Sequence, residues 1–391
     1  MKLLFNTPAT AALGFVLLLG VACKNKSKQE PTASMESGAQ VEAREDSLAL
    51  IAAYQRQEKI ALSVQADRET KAVDARIEDD AADDPAIWVD SNDPSRSMII
   101  GSNKKGGIET YDLEGNEIAY YPVGRINNVD VAYQVKMGAR KVDIVGGSNR
   151  SDQSIAILRI DPTTRHLVNA TDGAFLVDTA LMDDVYGFCF YQSKKNGVTY
   201  ALLNAKNGRF QQYLLTTEQD TLLGLKLVRE VKFDSQVEGM VADSEYGIVY
   251  IGEEDRGVWK MDAEPDGSSE RQLIPMSGSD NPNIAYDVEG LTLYERGRDG
   301  YLVVSSQGNF SYAVFDRKGS NPYLFSFKIL GTESTDGVEE TDGIQAISDS
   351  LGIAFPNGLL IAQDGFNKKG DQPAPQNFKL VDWRKIEALI K

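Results

Sequence analysis

Beyond about residue 75 the chain alternates short apolar runs rich in Val, Ile, Tyr and Phe with Gly, Asn and Asp. That is the pattern of an all-β fold. The runs recur in a two-part phase. One kind opens on a polar or acidic residue, passes a small one and continues as apolar alternation. Its copies are Asp84-Pro85-Ala86-Ile87-Trp88, Asn128-Val129-Asp130-Val131, Val185-Tyr186-Gly187-Phe188, Glu238-Gly239-Met240-Val241, Glu289-Gly290-Leu291-Thr292 and Asp342-Gly343-Ile344. Their spacing of roughly 50 residues is the period of a propeller blade. A second apolar run follows each copy about 10 to 16 residues later, as in Met98-Ile99-Ile100 and Ile248-Val249-Tyr250-Ile251. A β-sandwich with evenly spaced turns is the weaker reading, because it gives no reason for six copies to keep one register. The repeats predict a six-bladed β-propeller whose radial closure protects the sheet edges.

Helical spacing is confined to the two ends. Leu48, Ile51, Ala52 and Ile60 predict an amphipathic helix within residues 41–63, and a short helix is expected over residues 383–390. At the N-terminus Lys2 precedes an apolar run from Ala11 to Val21, of signal-peptide length. It ends in Gly20-Val21-Ala22-Cys23, which resembles a bacterial lipobox with Gly20 where a larger aliphatic is usual. The chain is therefore expected to be exported, and to be tethered to a membrane by lipid on Cys23, with plain secretion as the alternative. The expected organisation is a signal segment over 1–23, a tether and helix over 24–66, and the propeller domain over 67–391. Cys189, within Gly-Phe-Cys-Phe-Tyr, reads as a small buried hydrophobe.

The repeat places chemistry on one face. In a meander the second strand runs back, so the turn after it returns to the end where the first strand began. In the first three repeats those turns carry cations: Lys104 and Lys105, Arg150, and Lys206. In the last three they carry oxygen donors: Glu253, Glu254 and Asp255, then Gln307, then Gln363 and Asp364. The strand starts add Asp83, Asp84, Asn127, Asn128, Asp183, Asp184, Tyr186, Glu238, Asp287, Glu289, Asp336 and Asp342. Solvation explains any one of these charges but not their segregation by repeat. A basic arc beside a carboxylate arc suits a polyanion bridged by metal ions. Donors that are all hard oxygens favour calcium, which accepts six to eight ligands in irregular geometry.

Net charge changes the picture by exclusion. With 58 acidic and 41 basic side chains the chain carries −17, which argues against a nucleic-acid partner. The single histidine, His166, reads as part of a surface loop, which leaves little for a His-ligated zinc site or a Ser-His-Asp triad. No Gly-x4-Gly-Lys-Ser/Thr loop is present, and Cys189 has no arginine six residues on. Phosphoryl chemistry without His or Cys points to a metal-activated water as nucleophile.

The motifs Asp83-Asp84-Pro85-Ala86-Ile87-Trp88, Asn103-Lys104-Lys105-Gly106-Gly107, Asn127-Asn128-Val129-Asp130, Ser148-Asn149-Arg150, Glu253-Glu254-Asp255, Asp287-Val288-Glu289-Gly290-Leu291, Ser305-Ser306-Gln307-Gly308-Asn309 and Thr335-Asp336-Gly337 run in order through the body of the chain. Together they resemble the β-propeller phytases. The resemblance implies a six-bladed, calcium-dependent phosphatase that removes phosphate from myo-inositol hexakisphosphate, with a calcium-bridged water attacking phosphorus. It implies calcium ligands at Glu69, Asp83, Asp84, Asn127, Asn128, Val129 (through its backbone oxygen), Glu238, Glu254, Asp287, Glu289, Gln307 and Asp336. It implies phosphate-binding roles for Lys104, Lys105, Arg150, Tyr186 and Lys206, and catalytic roles for Lys104, Arg150, Tyr186, Lys206 and Glu238. Arg209 departs from the expected pattern and is placed to alter a neighbouring phosphate subsite. The implied substrate is calcium-phytate, and no oligomer interface is legible, so a monomer is expected. A calcium-dependent propeller lactonase and a non-catalytic tethered binding module are the competing readings; the basic arc speaks against the first and the charged rim against the second.

Overall fold

The computed structural model describes residues 38–219 and 221–390, with side chains from residue 47 onward. The expected signal segment, Cys23 and most of the tether lie outside the described residues. The chain divides into two units at residues 46 and 47. The first contributes only the start of helix α1 (Gly38–Gln57), and the second carries the rest of that helix and the propeller.

Six four-stranded antiparallel meanders form the blades. Their innermost strands are Ala82–Trp88, Ile126–Met137, Val185–Gln192, Val237–Asp243, Val288–Arg296 and Ile344–Ile347, at the positions of the six sequence repeats. Apolar clusters fill the spaces between neighbouring blades. Phe188 and Phe190 of blade 3, for example, pack with Ile144, Ile155 and Ile157 of blade 2. The ring is closed by the chain's own N-terminal segment. Arg68–Glu69 pairs antiparallel with Asn377–Asp382 as the fourth strand of blade 6. Leu62–Gln65, which precedes the expected domain start at residue 67, adds a parallel fifth strand to blade 5. Sequence patterning misses these strands because they are short and outside the repeat.

The two helices appear where expected, the second spanning Trp383–Glu387. The face expected to bury α1 does not do so: Leu48 and Ile51 are 57% and 53% exposed, whereas Ala53 is buried. Packing runs instead through Tyr54, whose ring meets Phe310 edge-on with centroids 5.3 Å apart. His166 is exposed, as expected, but it opens the outermost strand of blade 2 rather than lying in a loop.

One feature repeats that the sequence does not announce. In blades 1 to 5 the innermost strand carries a bulge at its start, where two of its residues face one on the second strand. The bulged pairs are Asp83-Asp84, Asn127-Asn128, Tyr186-Gly187, Glu238-Gly239 and Glu289-Gly290. A bulge breaks the ladder and re-aims side chains, and the freed amides need other acceptors. The facing residue supplies them in three blades: Asp84 N donates to Ser102 Oγ (2.8 Å), Asn128 N to Ser148 Oγ (3.2 Å) and Gly187 N to Asn204 Oδ1 (2.7 Å). In blade 5, Gly290 N donates to the Asp342 carbonyl of the next blade at 3.2 Å.

The bulges also bring adjacent blades into backbone contact. A Cβ on Gly239 would lie 2.0 Å from the carbonyl oxygen of Glu289, so only glycine fits there. Gly239→Ala is expected to lower stability by about 1–3 kcal/mol through overpacking, read from denaturant midpoints. A parental midpoint would show that the blades can part without cost.

Candidate active site

Three of the bulged residues, Tyr186, Glu238 and Glu289, meet at one cavity. This cavity, of ≈ 260 Å³, is lined by Lys104, Tyr186, Glu238, Glu254, Asp287, Glu289, Gln307, Glu340 and Asp342, together with Asp80, Gln236, Gln363 and Gln376. Among the described residues, one carboxylate oxygen from each of Glu238, Glu254 and Glu289 lies within 4.8 Å of the others. Glu238 and Glu289 are buried bulge residues of adjacent blades, and Glu254 comes from the turn after the second strand of blade 4. Asn127 Nδ2 donates to Glu238 Oε1 at 2.8 Å and to Asn128 Oδ1 at 2.9 Å. Asp84 lines a separate cavity with Asn128 and Val129, its carboxylate accepting from Val129 N at 3.1 Å. Of the oxygen donors expected from sequence, Glu238, Glu254, Asp287, Glu289 and Gln307 share this cavity with Tyr186 and Lys104, and Asn127 is hydrogen-bonded to Glu238.

The basic arc faces them. Lys104 Nζ, almost fully buried, lies 2.9 Å from Asp80, 3.3 Å from Asp83 and 3.2 Å from Asp342. Burial pulls its pKa down, but these three carboxylates outweigh it and hold the ammonium well above the usual lysine value. Arg150 is half-buried. Its Nη2 and Nε reach the two Asp184 oxygens at 2.6 and 3.3 Å, and its Nη1 donates to Asn127 Oδ1 at 3.2 Å. Its guanidinium and the Lys206 ammonium both stand over the Tyr186 ring, at 5.7 and 4.5 Å from the centroid. Burial first, then Glu238 and Glu289, push the Tyr186 phenol far above its ordinary pKa, so it is a hydrogen-bond donor at any physiological pH. Lys105 is exposed at the rim beside Lys104.

Two expected metal ligands are gathered elsewhere. Glu69 lies 2.7 Å from the buried Lys379 ammonium, and Asp336 also pairs with it. Asp364 completes that group at 3.1 Å. Here a lysine answers the carboxylates, whereas among the described residues no cation pairs with Glu238 or Glu289. Arg209, expected to touch a phosphate subsite, pairs with Glu230 on the neighbouring strand of blade 3. Sequence reasoning passed over Asp80, Gln236 and Glu340 as site residues. Asp80 ends the acidic run Glu78-Asp79-Asp80, which looks like a solvated loop, and Glu340 lies in an irregular connection with no repeat to mark it.

The electrostatics test whether the cluster fits a cation. Burial, and then Glu238, push Glu289 well above the ordinary carboxylate range. Burial raises Glu254 from 4.5 to about 7, with Glu238 and Asp287 adding to it, and raises Asp342 to about 6. Asp83 is driven up by burial despite Lys104, and its Oδ2 is buried without a hydrogen-bond partner among the described residues. Like charges this close with oxygen donors alone fit a hard cation, which would let all of them ionise.

The same shifts set a pH dependence. A carboxylate whose pKa is higher folded than unfolded keeps its proton longer in the folded state. Stability is therefore lost as pH rises between the two values, for Glu254 from about 4.5 to about 7. In chelator, Glu254→Gln is expected to melt with the parent near pH 5 and above it by about pH 8. Parallel melting curves across that range would show that Glu254 is not held protonated.

A family model described as Phytase matches residues 35–391. The 3-phytase of Bacillus subtilis (strain 168) is 44% identical over 312 residues, spanning 79% of this chain and 81% of that protein. Among solved structures, a functionally unknown protein from Desulfotomaculum acetoxidans DSM 771 aligns at 14% identity with a TM-score of 0.41, over 62% of this chain and 70% of that one, too distant to bear on fold or chemistry. A family match over nearly the whole chain, and a close relative over most of it, join the site's geometry to one conclusion: this chain belongs to the phytase family.

Proposed function

We propose that the protein is a calcium-dependent phosphoric monoester hydrolase of the 3-phytase type, releasing phosphate from myo-inositol hexakisphosphate. The observation that carries this reading is a cavity that holds the Glu238, Glu254 and Glu289 cluster together with Lys104 and with Tyr186, over whose ring Arg150 and Lys206 stand. The family match and the Bacillus subtilis relative agree with it.

Glu238, Glu254 and Glu289 would hold calcium, with Asp83, Asp84, Asn127, Asn128, the Val129 carbonyl, Asp287 and Gln307 as the further oxygen donors around them. When bound, calcium neutralises these groups, joins the polyanionic substrate to them and acidifies the water that attacks phosphorus. The chain's own residues do the positioning. Lys104 is pinned by three carboxylates, so its ammonium is fixed before substrate arrives. Arg150 is held by Asp184 and Asn127 and stacked over Tyr186, which leaves its fork oriented for phosphate oxygens. Lys206 and the protonated Tyr186 complete the arc, and Lys105 at the exposed rim reaches substrate phosphates outside the cleavage position. These preset donors oppose charge building on the equatorial oxygens in the transition state. Glu69 and Asp336, already neutralised by Lys379, are ligands on the family resemblance alone.

The test is phosphate release from phytate with calcium, after chelation, and after calcium is restored, run on the parent and Arg150→Ala. Activity should vanish with chelator and return with calcium. Arg150→Ala should lose about 10²-fold or more in turnover while keeping the calcium-dependent rise in melting temperature. Chelator-insensitive release would refute the metal requirement, and loss of calcium stabilisation in Arg150→Ala would make that residue structural.

Export and lipid attachment at Cys23 belong to the same proposal, resting on the apolar run and the residues that end it. Cys23→Ser should move the protein from the membrane fraction to the soluble fraction of expressing cells. A parent protein already in the soluble fraction would remove the anchor.

A further inference from the structure

The end of helix α1 lies on the segments that carry the acidic side of the site. Tyr54 OH donates to Glu339 Oε2 at 2.7 Å, and Lys368 Nζ donates to the same oxygen at 2.9 Å. Gln57 Nε2 donates to the Phe310 carbonyl at 3.2 Å, while Lys328 Nζ donates back to the Gln57 carbonyl at 3.0 Å. Glu339 is followed directly by Glu340 and, two residues later, by Asp342, both of which line the cavity. Phe310 ends the turn that carries Gln307, whose amide donates to Asp342.

The backbone at these two contact points is strained. Phe310 has φ 49° and Glu340 φ 48°, left-handed values that non-glycine residues avoid. Such residues persist only where their surroundings over-determine them. Phe310 is held by the Tyr54 ring on one side and by Phe366, edge-on at 6.2 Å, on the other. Glu340 is bracketed by Glu339, tied to Tyr54, and by Thr341, whose hydroxyl accepts from Tyr312 OH at 2.8 Å. Burial and Glu339 raise the Tyr54 pKa, so the phenol remains a donor.

We propose that Tyr54 is a positioning residue of the active site: through Glu339 and Phe310 it fixes the strained segments that aim Glu340, Asp342 and Gln307 into the cavity. A helix outside the six repeats is thereby part of the catalytic apparatus. Tyr54 itself touches neither cavity nor substrate. This rests on the proposed function for both readouts, on phytate hydrolysis for the kinetics and on calcium binding for the melting midpoint.

In the full chain, Tyr54→Phe keeps the ring on Phe310 and removes the bond to Glu339. It is expected to lower kcat/KM for phytate roughly fivefold, the equivalent of one ordinary hydrogen bond. It should also raise, several-fold, the calcium concentration that half-saturates the rise in melting temperature. The melting temperature in chelator should stay near the parent's. Glu339→Gln, which keeps an acceptor for the phenol, should lie closer to the parent than Glu339→Ala in both readouts. Parental kinetics and a parental calcium midpoint in Tyr54→Phe would overturn the proposal. So would an equal drop in melting temperature with and without calcium at unchanged kcat/KM, which marks a structural contact only. A parent inactive on phytate would refute the functional reading instead, and the calcium midpoint would still decide the role of Tyr54.

Discussion

Two residues facing one, at the start of the innermost strand, is a mismatch that an isolated sheet would remove by sliding its register. Here it persists in five consecutive blades, and in four of them the facing residue, or the next blade's backbone, accepts the amide that the ladder loses. The result concentrates polar side chains where a regular strand would send alternate residues to opposite faces. Asp83, Asp84, Asn127, Asn128, Tyr186, Glu238 and Glu289 all owe their direction to this event. Gly239 and Gly187 make it possible, since any side chain there would strike the carbonyl of the following blade.

Concentration has an electrostatic cost, and the molecule meets it in two ways. Around Lys104 and Lys379 the cations are part of the chain, each held by three carboxylates. Around Glu238, Glu254 and Glu289 no cation among the described residues forms an ion pair, and burial drives Glu254 and Glu289 toward their neutral forms. That unrelieved charge is what the proposed calcium would neutralise. A fully compensated network would be only structural.

The ring is also less self-contained than its repeats suggest. Blade 6 borrows its fourth strand from Arg68–Glu69, and blade 5 takes an extra one from Leu62–Gln65. The helix just before them rests on the turn at Phe310 and on Glu339. The N-terminal segment therefore closes the fold and braces the acidic side of the site with one continuous stretch of chain.

The sequence by itself determined the architecture and the face. Six copies in one phase required blades, and antiparallel connectivity put Lys104, Arg150, Lys206, Glu254 and Gln307 at one end with the strand starts. Period and connectivity are local properties, so they can be read without coordinates. What tertiary structure decided was which charges are compensated. That Glu69 and Asp336 meet Lys379, and that Arg209 turns to Glu230, depends on residues brought together by ring closure or across a meander, which no spacing records. Asp80 and Glu340 entered the site for the same reason, and the bulges escaped because their signal is a register between strands. Packing also overruled pattern at α1, where Leu48 and Ile51 stay in solvent and Tyr54 makes the contact.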